Sequence, residues 1–479
     1  MPIENPAYAS ATELAAAIAR KEVSSSELVD FFLARKAERD GPLNIVVTVD
    51  EARARSEADE ADRKLAAGEP VGPLHGVPMT IKDSFSTEGM RTTSGAPELS
   101  DHVPAEDADP VARLRAAGAI IWGKTNLPIY AGDVQSYNAV FGCTNNPWDT
   151  TRTVGGSSGG SAGALAAGFT PLELGSDIAG SIRIPAHTCG VMGHKPSYGA
   201  VSARGQIPGP PGTLTQADLA VAGPMARTVD DLELGMDILA GPNAWEDIGW
   251  SLKLPPSRHR ELSDFRVAVW VDDAFCPVSS EARALLDGAV TSLEEGGARI
   301  DREARPAFEF AYASRVFDRL LNSTLAGGVP LKQIEEIAAS ARAAGKDNPH
   351  VAIRHREWLT ANERRLQMRR KWRSFFEQWD VVLMPVTPTV AIKHDHSDPM
   401  PARTVDIDGQ QRPYVDLMKW MGLTGVSFLP ATVVPVGLTS GGLPVGIQIA
   451  GPYLEDRTTL QLARLLSARI GGCQTPPGF

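Results

Sequence analysis

Apolar positions recur at helical spacing over roughly the first 65 residues and then change period. "SATELAAAIARKE" (10–22) opens on a Ser-x-x-Glu capping box at Ser10 and Glu13 and predicts a helix. "SSSELVDFFLARKAER" (24–39) repeats the pattern, with Ser25 or Ser26 as its expected cap. From about residue 74 short apolar runs alternate with helical stretches. "GVPMTIKD" reads as a strand ending at Lys82-Asp83. "DPVARLRAAGAIIWGKTN" reads as helix, glycine turn and strand, and "SAGALAAGFTPLELGSD" as a small-residue helix turning into a strand. "FRVAVWVDD" followed by "SSEARALLDGAVTSLEEGGA" adds another strand and helix. Such alternation marks an α/β layer fold. Residues 306–379 break the rhythm: "EFAYASRVFDRLLNSTL" and "EWLTANERRLQMRRKWRSFFEQW" are helical, with few strand candidates between them. Strand patterns resume at "DVVLMPVTPT", "FLPATVVPVG" and "GLPVGIQIAGP", and a last helix is predicted over "DRTTLQLARLLSARI". No convincing boundary divides the chain, so 1–479 reads as a single domain with a helical insertion at 306–379.

Composition narrows the function classes. With 43% apolar residues in 479, the chain can bury a large core, and its glycines and prolines are spread as in a loop-rich enzyme. A net charge of −11 argues against a nucleic-acid binder, which needs a basic face for phosphates. Cys143, Cys189, Cys276 and Cys473 are widely spaced and read as free thiols in a reducing compartment. The first residues lack the basic-then-apolar pattern of a signal peptide, and no run of about 18 apolar residues occurs. The expectation is a soluble cytoplasmic protein.

Two Gly/Ser-rich turns carry the candidate chemistry: "GGSSGGSAGA" (155–164) and "GSDIAGSIRIP" (175–185). Taken singly, each has a plain reading. The first could be a linker, and it lacks the Gly-Lys-Ser/Thr ending of a phosphate-binding loop. The second could be a tight turn before a buried segment, and Lys82 could face solvent. "HDHS" (394–397) spaces His394 and His396 as metals can use, but no further ligand accompanies them in sequence, so the segment reads as a solvated loop and no metal is expected. Ser181 does not sit in a Gly-x-Ser-x-Gly elbow, and no histidine offers a defensible Ser-His-Asp partner. If Ser181 is a nucleophile it needs another base, and lysine serves once burial or a nearby cation makes it neutral.

Lys82 in "GVPMTIKD" with "GGSSGGSAGA" and "GSDIAGSIRIP" resembles, in order and spacing, the three defining segments of the amidase signature enzymes. Ser157 and Ser181 are 24 residues apart, as in that family. "GCTNNPWD", "GHKPSYG", "GPMARTVDDL", "LMPVTPT" and "GLPVGIQIAGPYLEDRTTL" extend the resemblance over roughly 8–240 and 375–470, with 74–240 as the signature core. The insertion resembles nothing specific. The resemblance implies an α/β fold with a large mixed central β-sheet flanked by helices on both faces. It implies Ser181 as nucleophile, Ser157 as a bridging serine on a cis peptide bond, and Lys82 as terminal base, with no cofactor. The N–H groups of Ile178, Ala179, Gly180 and Ser181 would form the oxyanion hole, and Ser158, Asp177 and Arg183 would hold the turns. Many relatives have glycine where this chain has Ala179.

By the same placement Ile129, Tyr130, Ala131 and Gly132 would edge the acyl pocket, the insertion would add walls, and Trp420 would be one of them. Small Ala131 and Gly132 suggest room for bulky or aryl amides, with esters and carbamates open to the same acyl-enzyme chemistry. The expected partners are a small-molecule amide and water, with no nucleic acid or membrane, in a monomer or homodimer. The alternative is the glutaminase component of a tRNA-dependent amidotransferase, its so-called A chain type, working within a complex. "LPIYAGDVQSYN" departs from the acidic stretch those components carry at that point, which sets the alternative second.

Overall fold

The computed structural model describes residues 3–207, 211–343, 345 and 353–479; residues 208–210 of the signature core and 344 and 346–352 of the insertion lie outside it. Three helices open the chain: Ala11–Ala19, Ser25–Arg39 and Glu51–Ala67. Ser10 accepts from the Glu13 N–H while the Glu13 carboxylate accepts from the Ser10 N–H, completing the predicted box. The second helix starts one residue earlier than its expected cap. Ser24, not Ser25 or Ser26, pairs with Glu27, because the N–H groups of Ser25 and Ser26 are taken by Asp62 on the third helix. Between the helices Val46–Val49 forms a strand that the helical texture conceals.

Val46–Val49 pairs antiparallel with Ile120–Thr125, which pairs parallel with Pro78–Lys82. This three-stranded sheet brings Lys82 level with Thr125 at its C-terminal end. The main sheet has eight strands. Its order is Arg299–Asp301, Arg266–Val269, Val381–Pro385, Pro444–Ala450, Ala431–Leu438, Met192–Lys195, Val221–Ala226 and Leu172–Asp177. The first three are parallel to one another and the rest pair antiparallel, so the sheet is mixed. Apart from the edge strand Arg299–Asp301, its strands are largely buried because helices cover both faces, among them Asp456–Ile470, Val229–Leu239 and Arg183–Cys189.

The helix Gly159–Ala166 is buried along its whole length. Its glycines are required by distance: a Cβ on Gly160 would lie 2.4 Å from the Asn126 backbone nitrogen and 2.5 Å from its carbonyl oxygen. The Gly/Ser-rich stretch is thus a packed helix start and not a linker. Residues 306–379 contain the helices Phe310–Leu325, Leu331–Ala343 and His355–Gln378. The first packs on Lys419–Gly425, with the Phe317 ring against Gly422. Among the described residues no helix is long and apolar enough to cross a membrane.

Candidate active site

Two backbone turns converge on one buried lysine. Lys82 ends its strand fully buried, and its Nζ lies 2.7 Å from Ser157 Oγ, 3.0 Å from Ser158 Oγ and 2.9 Å from Ser176 Oγ. Burial disfavours the ammonium and brings Lys82 down to about 7, against the opposing pull of Asp177 and Glu173. Near neutrality a large share of this lysine is therefore a free amine. Ser157 follows a cis Gly156–Ser157 peptide.

The second turn is built around an ion pair. Asp177 ends its strand with no exposed surface, and its carboxylate accepts from the Gly180 N–H at 2.8 Å, the Ile182 N–H at 3.2 Å, and Arg183 Nε and Nη2 at 2.9 and 2.8 Å. Burial would raise its pKa, but the Arg183 guanidinium and the Gly180 N–H together hold it down at about 2. Arg183 also donates to Thr424 Oγ1 at 2.7 Å and Gln448 Oε1 at 2.6 Å, pinning the turn to the Lys419–Gly425 helix and a central strand. The Ser158 N–H donates to the Ser181 carbonyl at 3.0 Å, which locks the two turns together. Ser181 keeps 8% of its surface, whereas Lys82 and Ser157 keep none. A substrate reaches the serine and not the lysine.

Several expectations change here. The Gly180 N–H is already committed to Asp177, whereas the N–H groups of Ile178, Ala179 and Ser181 have no partner among the described residues. Ser157 and Ser181 are neighbours through their turns, but no hydrogen bond joins their hydroxyls. Trp420 is no pocket wall. It is fully buried, donates its Nε1–H to the Cys276 carbonyl at 3.1 Å, and packs edge-on to Trp270 and against Phe310. Its neighbour Met421 is likewise buried and packs against the turn: a Cβ on Gly180 would lie 2.6 Å from Met421 Cγ and 2.7 Å from Ile184 Cδ1. Ile129–Ala131 form a short turn before Gly132, with Ile129 exposed and Tyr130 directed to Glu98 through a 2.6 Å hydrogen bond. Sequence reasoning passed over Ser176, Ile184 and Met421. Ser176 stands one residue before Asp177, but only folding shows that it faces a lysine 94 positions away.

Fold and site together define an amide-cleaving hydrolase whose polar centre is a lysine among serines. The chain belongs to the amidase signature family: the model of the family described as Amidase matches residues 27–460. The A-type component of the glutamyl-tRNA(Gln) amidotransferase of Geobacillus thermodenitrificans (strain NG80-2) is 34% identical over 483 residues, covering 94% of this chain and 95% of the relative. Among solved structures, a bacterial aryl acylamidase of the amidase signature family superposes with a TM-score of 0.80 at 25% identity, covering 96% of each chain. A chain from a vestigial protein complex, described as revealing the evolutionary origins of an s-triazine catabolic enzyme, also gives 0.80, at 28% identity over 97% of this chain and 99% of its own. These relatives correct one expectation. The reading of a monomer or homodimer that meets only a small-molecule amide and water is overturned by full-length relatives that are, by name, subunits of an enzyme for glutamyl-tRNA(Gln).

Proposed function

We propose that the chain is the amide-hydrolysing component of a larger assembly and releases ammonia from a primary carboxamide of the glutamine type. The likeness to glutamyl-tRNA(Gln) amidotransferase components over 94% of the chain carries this reading. In it, neutral Lys82 accepts a proton from Ser157 Oγ, which takes the proton of Ser181 as Ser181 Oγ attacks the carbonyl carbon. The open Ser157–Ser181 link fits a site without substrate, since catalytic hydrogen bonds tighten when the substrate is bound. The oxyanion sits on the N–H groups of Ile178, Ala179 and Ser181, each worth about 2.7–4 kcal/mol to the transition state. Lys82 returns the proton through Ser157 to the leaving nitrogen, the C–N bond breaks, and water repeats the sequence on the acyl-enzyme. Ser158, Asp177 and Arg183 act by holding the turns.

A second reading of the substrate, a bulky or aryl amide with ester or carbamate side activity, is favoured by the likeness to a solved aryl acylamidase over 96% of the chain. One comparison separates the two. Ammonia release from L-glutamine and chromophore release from p-nitroanilide, aryl ester and carbamate substrates are measured on the chain alone and on the assembly purified from its own cells. The first reading expects glutamine turnover that rises in the assembly. Fast anilide turnover by the isolated chain, with none on glutamine in either form, refutes it.

A further inference from the structure

His394 and His396 lack a third ligand in sequence, and folding supplies one. Cys143 ends the short strand Gly142–Cys143 of a hairpin, far from both histidines along the chain. Its Sγ lies 3.5 Å from His394 Nδ1 and 3.9 Å from His396 Nε2. The three ligand atoms fall within 4.8 Å of one another. A tetrahedral zinc with Zn–S of about 2.3 Å and Zn–N of about 2.0–2.1 Å sets sulfur and nitrogen about 3.6 Å apart. Both observed separations sit within a few tenths of that value. Both imidazoles thus turn a ring nitrogen to the same sulfur.

The surroundings aim these groups. The His396 ring stacks on Tyr137, with centroids 3.8 Å apart and planes at 17°. Tyr137 is held in turn by Arg403 Nη2 at 2.8 Å. The His394 backbone N–H donates to the Thr151 carbonyl at 3.4 Å, which ties the loop to a neighbouring strand. Asp395 between them is clamped by one side chain: Gln135 Nε2 donates to its carbonyl at 2.6 Å, and its N–H donates to Gln135 Oε1 at 3.0 Å.

We propose that Cys143, His394 and His396 form a three-ligand site for zinc, which staples the 393–396 loop to the 137–143 hairpin. One thiolate with two imidazoles suits a borderline-soft divalent ion and not magnesium or calcium, which take oxygen ligands. Three protein ligands leave the fourth position to water. The staple bears on the amidase site through the residue before the hairpin, because Ser136 Oγ donates to the Gly155 carbonyl at 2.9 Å, two positions from Ser157.

The test uses the full-length chain, stripped with a chelator under reducing conditions and titrated with Zn²⁺ or Co²⁺ alone. About one equivalent of zinc is expected to remain after gel filtration, by elemental mass spectrometry. Cobalt is expected to give the intense visible bands of a tetrahedral site and a thiolate charge-transfer band. Cys143→Ser should abolish that band, and His394→Gln and His396→Gln should each weaken zinc binding at least about 100-fold. Cys473→Ser should change neither. Zinc should also shield Cys143 of the wild-type chain from alkylation, read by peptide mass spectrometry, which keeps the test open if a variant fails to fold. Substoichiometric zinc in the wild type, or alkylation of Cys143 unaffected by zinc, overturns the proposal.

Discussion

Lys82→Arg removes the proposed base while keeping a cation of similar length in the same place. Lys82 titrates at about 7 because a fully buried ammonium loses its hydration. The drop from 10.5 corresponds to roughly 5 kcal/mol of disfavour for the charged form. The active species is the deprotonated one, so kcat/KM of the wild type should rise with pH and level off above about 8. At pH 6 it should stand near a tenth of the plateau, and at pH 5 near a hundredth. A guanidinium does not release its proton in this range, so Lys82→Arg should be inactive at every pH from 5 to 10. Two other buried groups titrate near the same value. Burial takes Lys195 down to about 7 and raises Glu173 to about 7. Lys195→Gln and Glu173→Gln are therefore profiled beside the wild type, and both should retain the limb. The assay is initial-rate hydrolysis in constant-ionic-strength buffers at substrate well below KM. A Lys82→Arg chain with wild-type rate and profile would refute the lysine as base, and loss of the limb in Lys195→Gln would move the titration to another residue.

Ser181→Ala should abolish acyl-enzyme formation, and Ser157→Ala should lose several orders of magnitude. The double variant should be scarcely worse than either, because the two act in one relay; burst kinetics and a fluorophosphonate adduct mapped by mass spectrometry check this. Asp177→Asn leaves the Arg183 guanidinium buried without its counter-charge, and chemical denaturation should show a loss of about 3–5 kcal/mol. The same carboxylate titrates at about 2 when folded, below its unfolded value, so its contribution is present above about pH 4 and should fade as pH falls toward 2. Gly180→Ala forces a side chain onto a φ of +113° with its Cβ 2.6 Å from Met421 Cγ. It should cost about 1–3 kcal/mol in a thermal melt and lower kcat by displacing the neighbouring N–H donors.

Much of this protein was legible in one dimension because the signals are local. The Ser10–Glu13 box, the strand closing on Lys82 and the helix at 456–470 follow from capping chemistry and from periods of two or 3.6 residues, which neighbours in sequence impose on one another. The order and spacing of Lys82, Ser157 and Ser181 likewise sit in short motifs, and their glycines record where backbones must touch. Local signals failed where a remote group competes. Asp62 claims the N–H groups of Ser25 and Ser26 and moves the cap to Ser24. Asp177 takes the Gly180 N–H, and the Cys276 carbonyl draws the Trp420 indole into the core. The pKa of Lys82 is a property of burial, which no spacing encodes. The meeting of Cys143 with His394 and His396 is the plainest case. Two segments far apart in the chain carry one and two of the candidate ligands, and only the packing of the hairpin against the 393–396 loop brings the three together.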